Sequence, residues 1–263
     1  MSPDGTPTFA PGTFRPSPGR GPLGRMLATQ VGLETRLALR QGEQVLLTLI
    51  IPLALLVGLT LLRVVPLPEP RVTAVLGTVL ALGVMSTAFT SQAISLGFDR
   101  RYGVIRRLAA TALPRWLLVA GRFAAIVGVV AIQIVVLSLL AAALGWRPEP
   151  AGVGWALLLV LLGCAAFGSL GILLGGTLRA EITLAAANLV WFVLLLAGGI
   201  VVPLAQLPEP LATVGALLPS GALAEGLRAA LVAGQPPSAG QVLVLLGWTV
   251  LAGVVATRAV KLR

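Results

Sequence analysis

The chain has 263 residues, 57% of them hydrophobic and only 11% charged, with a formal net charge of +10. Water-soluble globules carry about a quarter charged residues, so this composition excludes that class and points to apolar helices that cross a bilayer. There is no histidine, and the single cysteine, Cys164, lies inside an apolar run, which excludes an intrachain disulfide and a cysteine-cluster metal site and removes the commonest zinc ligand.

The first 22 residues hold six Pro and four Gly and no apolar core, the composition of a disordered tail rather than of a cleavable signal. Residues 23–41 then show a helical pattern: Leu23, Met26, Leu27, Val31, Leu37 and Ala38 share one broad face while Arg25, Arg36 and Arg40 group on another, as expected of a helix lying in the membrane interface. Gln30 and Glu34 interrupt the apolar face. A carboxylate there needs a partner, and Glu34 is expected to pair with an arginine of the central loop.

Six runs are long enough to span as helices: Val45 to Leu62, Val72 to Leu96, Phe123 to Leu144, Val153 to Leu178, Ile182 to Leu204 and Val242 to Ala259. With the N-terminus in the cytoplasm, 15 of the 19 basic residues fall inside and only Arg63, Arg71, Arg147 and Arg228 outside, which the positive-inside rule favours over the reverse. Both termini are then cytosolic. The positive charge reads as topology plus attraction to anionic lipid headgroups, about 1 kcal/mol per basic residue near the surface, rather than as a nucleic-acid footprint. One Lys against eighteen Arg, with abundant Ala, Gly and Leu, hints at a high-GC bacterial source.

Between the second and third runs stands a segment with six arginines, from Phe98 through Asp99, Arg100, Arg101, Tyr102, Arg106, Arg107, Leu108 and Arg115 to Arg122. Phe98, Tyr102, Ile105, Leu108 and Ala112 recur at helical spacing with Arg100 and Arg107 opposite, and Pro114 should end the helix. Such a helix can rest on headgroups or dock a protein partner. Farther on, Leu211 to Leu218 and Ala222 to Val232 are too short to span and too apolar for a solvated loop, and Pro219-Ser220-Gly221 separates them. Half-helices that dip into the outer leaflet fit this pattern.

Chemistry-bearing residues are sparse. No Gly-x-x-x-x-Gly-Lys-Ser/Thr phosphate loop is present, and the six span cores contain no Asp, Glu, Lys or Arg, which argues against a proton-coupled carrier. The nine acidic residues are scattered, which argues against a membrane-embedded lipid-modifying enzyme; Glu225 and Arg228 are placed to form a structural i, i+3 pair. The cytosolic half of the second span concentrates Ser86, Thr87, Thr90, Ser91, Gln92 and Ser95, and Asn188 and Trp191 lie one turn apart in the fifth. Hydroxyls beside an aromatic ring suit an amphipathic organic molecule, although Ser and Thr also bond their own helix carbonyls or join helices. Gly163, Gly168, Gly171 and Gly175 allow close approach along the fourth span.

Two stretches resemble the ABC type 2 permease family, in particular exporters of the daunorubicin-permease type. The first is Asp99-Arg-Arg-Tyr-Gly-Val-Ile-Arg-Arg-Leu-Ala-Ala-Thr-Ala-Leu-Pro-Arg115, which departs from the family pattern at Ala112, where a proline often follows Thr. The second is Gly198-Gly-Ile-Val-Val-Pro203-Leu-Ala-Gln-Leu-Pro208, followed by Leu218-Pro219 and Leu227-Arg228. The resemblance implies a permease subunit without catalytic residues or bound cofactor, served by two cytosolic ABC ATPases that hold ATP and Mg, and working with a second permease copy or paralogue. It implies that residues 98–115 form a coupling helix in which Asp99, Arg100, Arg101, Tyr102, Arg106, Arg107, Leu108 and Arg115 meet the ATPase. It also implies that the second and fifth spans border the cavity, so that Thr87, Thr90, Ser91, Asn188 and Trp191 line the substrate path.

The expected fold is thus an all-α membrane protein of six transmembrane helices: a disordered leader at 1–22, then a permease domain at 23–263 containing the interfacial helix at 23–41, the coupling loop at 98–115 and an external re-entrant segment at 203–241. The expected place is the bacterial inner membrane, and the expected activity export of a drug-like amphipathic compound, with lipid, glycolipid or polysaccharide as alternative cargo.

Overall fold

The computed structural model describes residues 22–40, 42–62, 69–104, 107 and 115–259, all of whose regular elements are helices. In chain order these are α1 (Leu23–Arg40), α2 (Gly42–Leu61), α3 (Arg71–Met85), a π-helical segment (Ser86–Ser91), α4 (Gln92–Arg101), α5 (Arg115–Ala143), α6 (Pro150–Thr177), α7 (Ala180–Ala197), a 3₁₀ turn (Leu204–Gln206), α8 (Glu209–Leu217), α9 (Pro219–Ala233) and α10 (Ala239–Ala259). Five continuous helices are long and apolar enough to cross a bilayer, among them α3 through α4 as one rod of 31 residues, and α2 supplies a shorter apolar stretch, Leu49–Leu61. The chain is an all-α membrane protein.

The rod α3–α4 is the axis of the bundle: 94% of its apolar window is buried, against 17% for α10 and 22% for α7. Met85 and Phe89 of the rod belong to one buried core with Phe167, Leu223 and Leu227. The outer helices turn large apolar side chains outward, such as Leu139 on α5, Leu189, Phe192 and Leu196 on α7, and Leu243 and Val250 on α10. In water such faces would be costly, but in hydrocarbon they need no partner.

Helix α1 lies against α5, where Gln30 is buried and faces Gly121, while Arg25, Leu33 and Arg36 are exposed. The expected apolar face is therefore turned at least partly to protein, with Met26, Leu27 and Val31 half-buried. Glu34 belongs to α1, but its side chain, and with it the expected pairing, lies outside the described residues.

The glycines of α6 settle its seat. A Cβ at Gly171 would stand 2.9 Å from Phe89 O and 3.1 Å from Ala88 O, and one at Gly175 would collide with Ala93 O, so α6 rests directly on the backbone of the central rod. A Cβ at Gly163 would meet Leu223 and Val84, whereas one at Gly168 would have only Ile126 Cδ1 at 3.7 Å. Packing within the chain accounts for Gly163, Gly171 and Gly175, and Gly168 is not needed for it.

The fifth span is shorter than its apolar run. Helix α7 stops at Ala197 because Gly199 takes φ +67°, a left-handed conformation that side chains disfavour, and the chain turns before Pro203. Helices α8 and α9 follow, bent by 92°. The hinge is Leu218, so Pro219-Ser220-Gly221 is not a linker as the sequence implied but the first turn of α9, with Pro219 at a position where its missing N–H costs nothing. Helix α9 runs antiparallel to α6, placing Leu223 by Gly163, Gly226 by Leu159 and Ala230 by Gly152. It thus starts near the midpoint of α6 and runs back along it, and it is nearly all buried; a bent pair of this kind fits a broken span as well as the expected re-entrant segment.

Candidate functional site

Three consecutive side chains on the last turn of α4 diverge by about 100° each, so they cannot share a neighbour. Each reaches a different helix. Asp99 accepts an ion pair from Arg122 of α5; Arg100 Nη1 donates to Gly175 O at 2.9 Å and Leu178 O at 3.2 Å, at the end of α6; and Arg101 pairs with Glu181 in the first turn of α7. The carbonyls at a helix C-terminus have no intrahelical donor, and Arg100 supplies one together with favourable charge for the α6 dipole.

The three ties differ in strength. Arg101 and Glu181 are 51% and 63% exposed, which limits that pair to about 0–1 kcal/mol. Arg122 and Asp99 are only 10% and 28% exposed, so theirs is the stronger ion pair and leaves the costlier residue behind when one partner is removed.

Beyond Arg101 the helical stripe expected from Phe98 onward is interrupted. Phe98 completes the membrane rod, and Gly103 at φ +69° turns the chain before the bond from Arg107 N–H to Gly103 O, 3.2 Å, resumes a helical step. Tyr102 is exposed, 6.1 Å from the ring of Phe98, and Arg107 Nη2 donates to Tyr102 O at 3.1 Å with its side chain also exposed. Of the eight residues expected to couple, Asp99, Arg100 and Arg101 find partners inside the chain and Tyr102 and Arg107 face outward. Arg106, Leu108 and the side chain of Arg115 lie outside the described residues. Sequence reasoning missed Glu181 and the pairing role of Arg122, although a lone acid, Asp99, among six arginines was a signal that one of them would be claimed locally.

The hydroxyl-rich part of the second span is the π-helical segment itself. Such wide turns free backbone groups and recur at functional places. Thr87 Oγ1 donates to Gln133 Oε1 of α5 at 3.2 Å, and Trp191 Nε1 of α7 donates to Ser86 Oγ at 3.0 Å. Thr90 Oγ1 and Gln92 Nε2 are buried and find no partner among the described residues. Ser91 is half-buried, and Asn188 is exposed and returns its amide to Leu184 O at 3.0 Å. The structure therefore gathers Thr87, Thr90 and Trp191 inward and leaves Asn188 on an outer face. Gln133 was not foreseen; a lone amide within an apolar run marks a need for a partner. Replacing Thr87 by Val should cost about 0.5–1 kcal/mol, read as a lowered apparent Tm in detergent.

At the opposite end, Glu225 and Arg228 form the expected i, i+3 pair at 2.8 Å and do more. Arg228 Nη2 donates to Gly199 O and, at 3.5 Å, to Ile200 O, and Glu225 Oε1 accepts from Leu204 N–H at 2.9 Å. The re-entrant helix thereby holds the turn that ends α7. Trp248 Nε1 of α10 donates to Leu217 O at 2.9 Å, fixing the end of α8.

A search of curated proteins finds no match. A family model described as ABC-2 family transporter protein matches residues 62–259, which takes in α3 to α10 with the arginine-rich end, the π-helical segment and the re-entrant pair. That match covers about three quarters of a chain whose described residues form a bundle of apolar spans around one buried central rod, and the chain belongs to the ABC-2 family of transporter proteins as a membrane-spanning permease subunit.

Proposed function

We propose that this permease exports a hydrophobic or amphipathic, drug-like compound from a bacterial cytoplasm, with the arginine-rich end and both termini in the cytosol. Two ATPase subunits bind there, each holding ATP and Mg, and a second permease copy or a paralogue completes the pathway. The observation that carries this reading is the arginine-rich end: the loop leaves the central rod tied to α5, α6 and α7 and presents Tyr102 and Arg107 outward. A subunit that cannot hydrolyse ATP itself needs a surface of this kind to receive work. The hydroxyls of the π-helical segment beside Trp191 support an amphipathic cargo that would contact the second and fifth spans.

The test is mild-detergent purification of the tagged chain from its native membrane with mass spectrometry of what co-elutes, beside the double variant Arg106→Glu/Arg107→Glu. A stoichiometric ATPase lost in the variant supports the reading, and a wild-type chain that elutes alone overturns it. Everted vesicles containing the complex should then accumulate an amphipathic dye in an ATP-dependent way; accumulation of a fluorescent lipid instead moves the cargo to lipid.

A further inference from the structure

We propose that Arg100 is a positioning residue that carries displacement of the arginine-rich loop to the junction of α6 and α7, with the Asp99–Arg122 pair carrying it to α5. This rests on the proposed docking of an ATPase at that loop. Arg100 is turned away from the exposed face that holds Tyr102 and Arg107, and its guanidinium ends on Gly175 O and Leu178 O, the last carbonyls before the chain turns into α7. The same junction is gripped by backbone contact: Ala93 O lies on the Cα side of Gly175, and a Cβ at Gly97 would stand 3.3 Å from Thr183 Cβ and 3.4 Å from Ala180 Cα. The glycine contacts hold α4 close to α6 and α7 by shape, which gives them no fixed bond direction along the rod. Arg100 is the directional tie that couples axial movement of α4 to α6, because hydrogen bonds to two carbonyls have a fixed length and angle. Asp99 and Arg122 do the same toward α5. Arg101 and Glu181, both exposed, are too weakly held to transmit it.

The experiment uses the full chain in complex with the ATPase that co-purifies with it, by hydrogen–deuterium exchange in the nucleotide-free and ATP–vanadate states. In wild type, vanadate trapping should change exchange both in 102–107 and in 175–183. Arg100→Gln should keep ATPase recovery and the response of 102–107 and lose the response of 175–183. Asp99→Asn should lose the response of the first turns of α5, and the swap Asp99→Arg/Arg122→Asp should restore it, a rescue that a loss of folding would not show. A response of 175–183 that persists in Arg100→Gln overturns the inference, as does loss of ATPase recovery in that variant, which would make Arg100 a docking residue. Absence of any co-purifying ATPase, or of a response at 102–107 in wild type, overturns the docking reading itself, and the inference falls with it.

Discussion

Replacing Gly175 by Val should unseat α6 from the central rod and cost about 3 kcal/mol or more, seen as a collapsed apparent Tm and poor recovery of monodisperse protein. The added Cβ would collide with Ala93 O, a backbone atom fixed in a helix, so no side chain can swing aside. One turn earlier Gly171 faces Phe89 O and Ala88 O, which prevents α6 from tilting to make room. The internal control is Gly168→Ala. Its Cβ would find only Ile126 Cδ1 at 3.7 Å, an ordinary contact, and alanine gains up to about 1 kcal/mol over glycine in a helix interior, so that variant should be neutral or slightly stabilising. If Gly175→Val and Gly168→Ala melt together, the seat of α6 is not where these contacts put it.

Arg228→Met should be of similar severity, about 3 kcal/mol, because it leaves the Gly199 and Ile200 carbonyls without this donor at a buried site and takes the guanidinium from Glu225, which is 32% exposed and keeps Leu204 N–H. The guanidinium is 5% exposed by residue and lies between α9 and the end of α7. Removing Glu225 as well, in the double variant Glu225→Met/Arg228→Met, should recover part of the loss, since no unpaired charge is then left behind. The check is a double-mutant cycle on apparent Tm: an additive cycle would show that the two side chains do not share one site.

The spans were legible because bilayer thickness makes length alone diagnostic, and a run such as Val153 to Leu178 has no other use. Their ends were less so. The apolar run of the fifth span continues past Ala197, and only the left-handed Gly199 and the arginine waiting beneath it stop the helix. Pro219 reads as a break in a sequence and is in the structure a beginning, because a proline is equally at home after one helix and at the start of the next. The hydroxyl cluster at 86–91 was visible as composition, but the π-helical turn was not, since composition carries no signal for a widened turn, and Gly171 of α6 packs against its Ala88 and Phe89 carbonyls. At the arginine-rich end the residues were found and their partners were not: charge counts reveal a cluster, whereas the 100° step between neighbours decides which helix each one meets.

Arg71, Arg100 and Arg228 each hold two backbone carbonyls near the end of another helix. Arg71 donates through Nε to Leu59 O at 2.8 Å and through Nη2 to Leu62 O at 3.1 Å, as Arg100 does to the end of α6 and Arg228 to the end of α7. Carbonyls at or just past the ends of α2, α6 and α7 thus obtain donors from the chain itself. At α7, a helix of 18 residues, the carbonyls that Arg228 serves belong to the turn at Gly199 and Ile200, so polar backbone where the short span ends has a donor within the chain. Arginine suits this use, since a guanidinium carries five donors on one planar frame. Where such a span ends is thereby set by the arginine of a neighbouring helix as well as by the length of the apolar run.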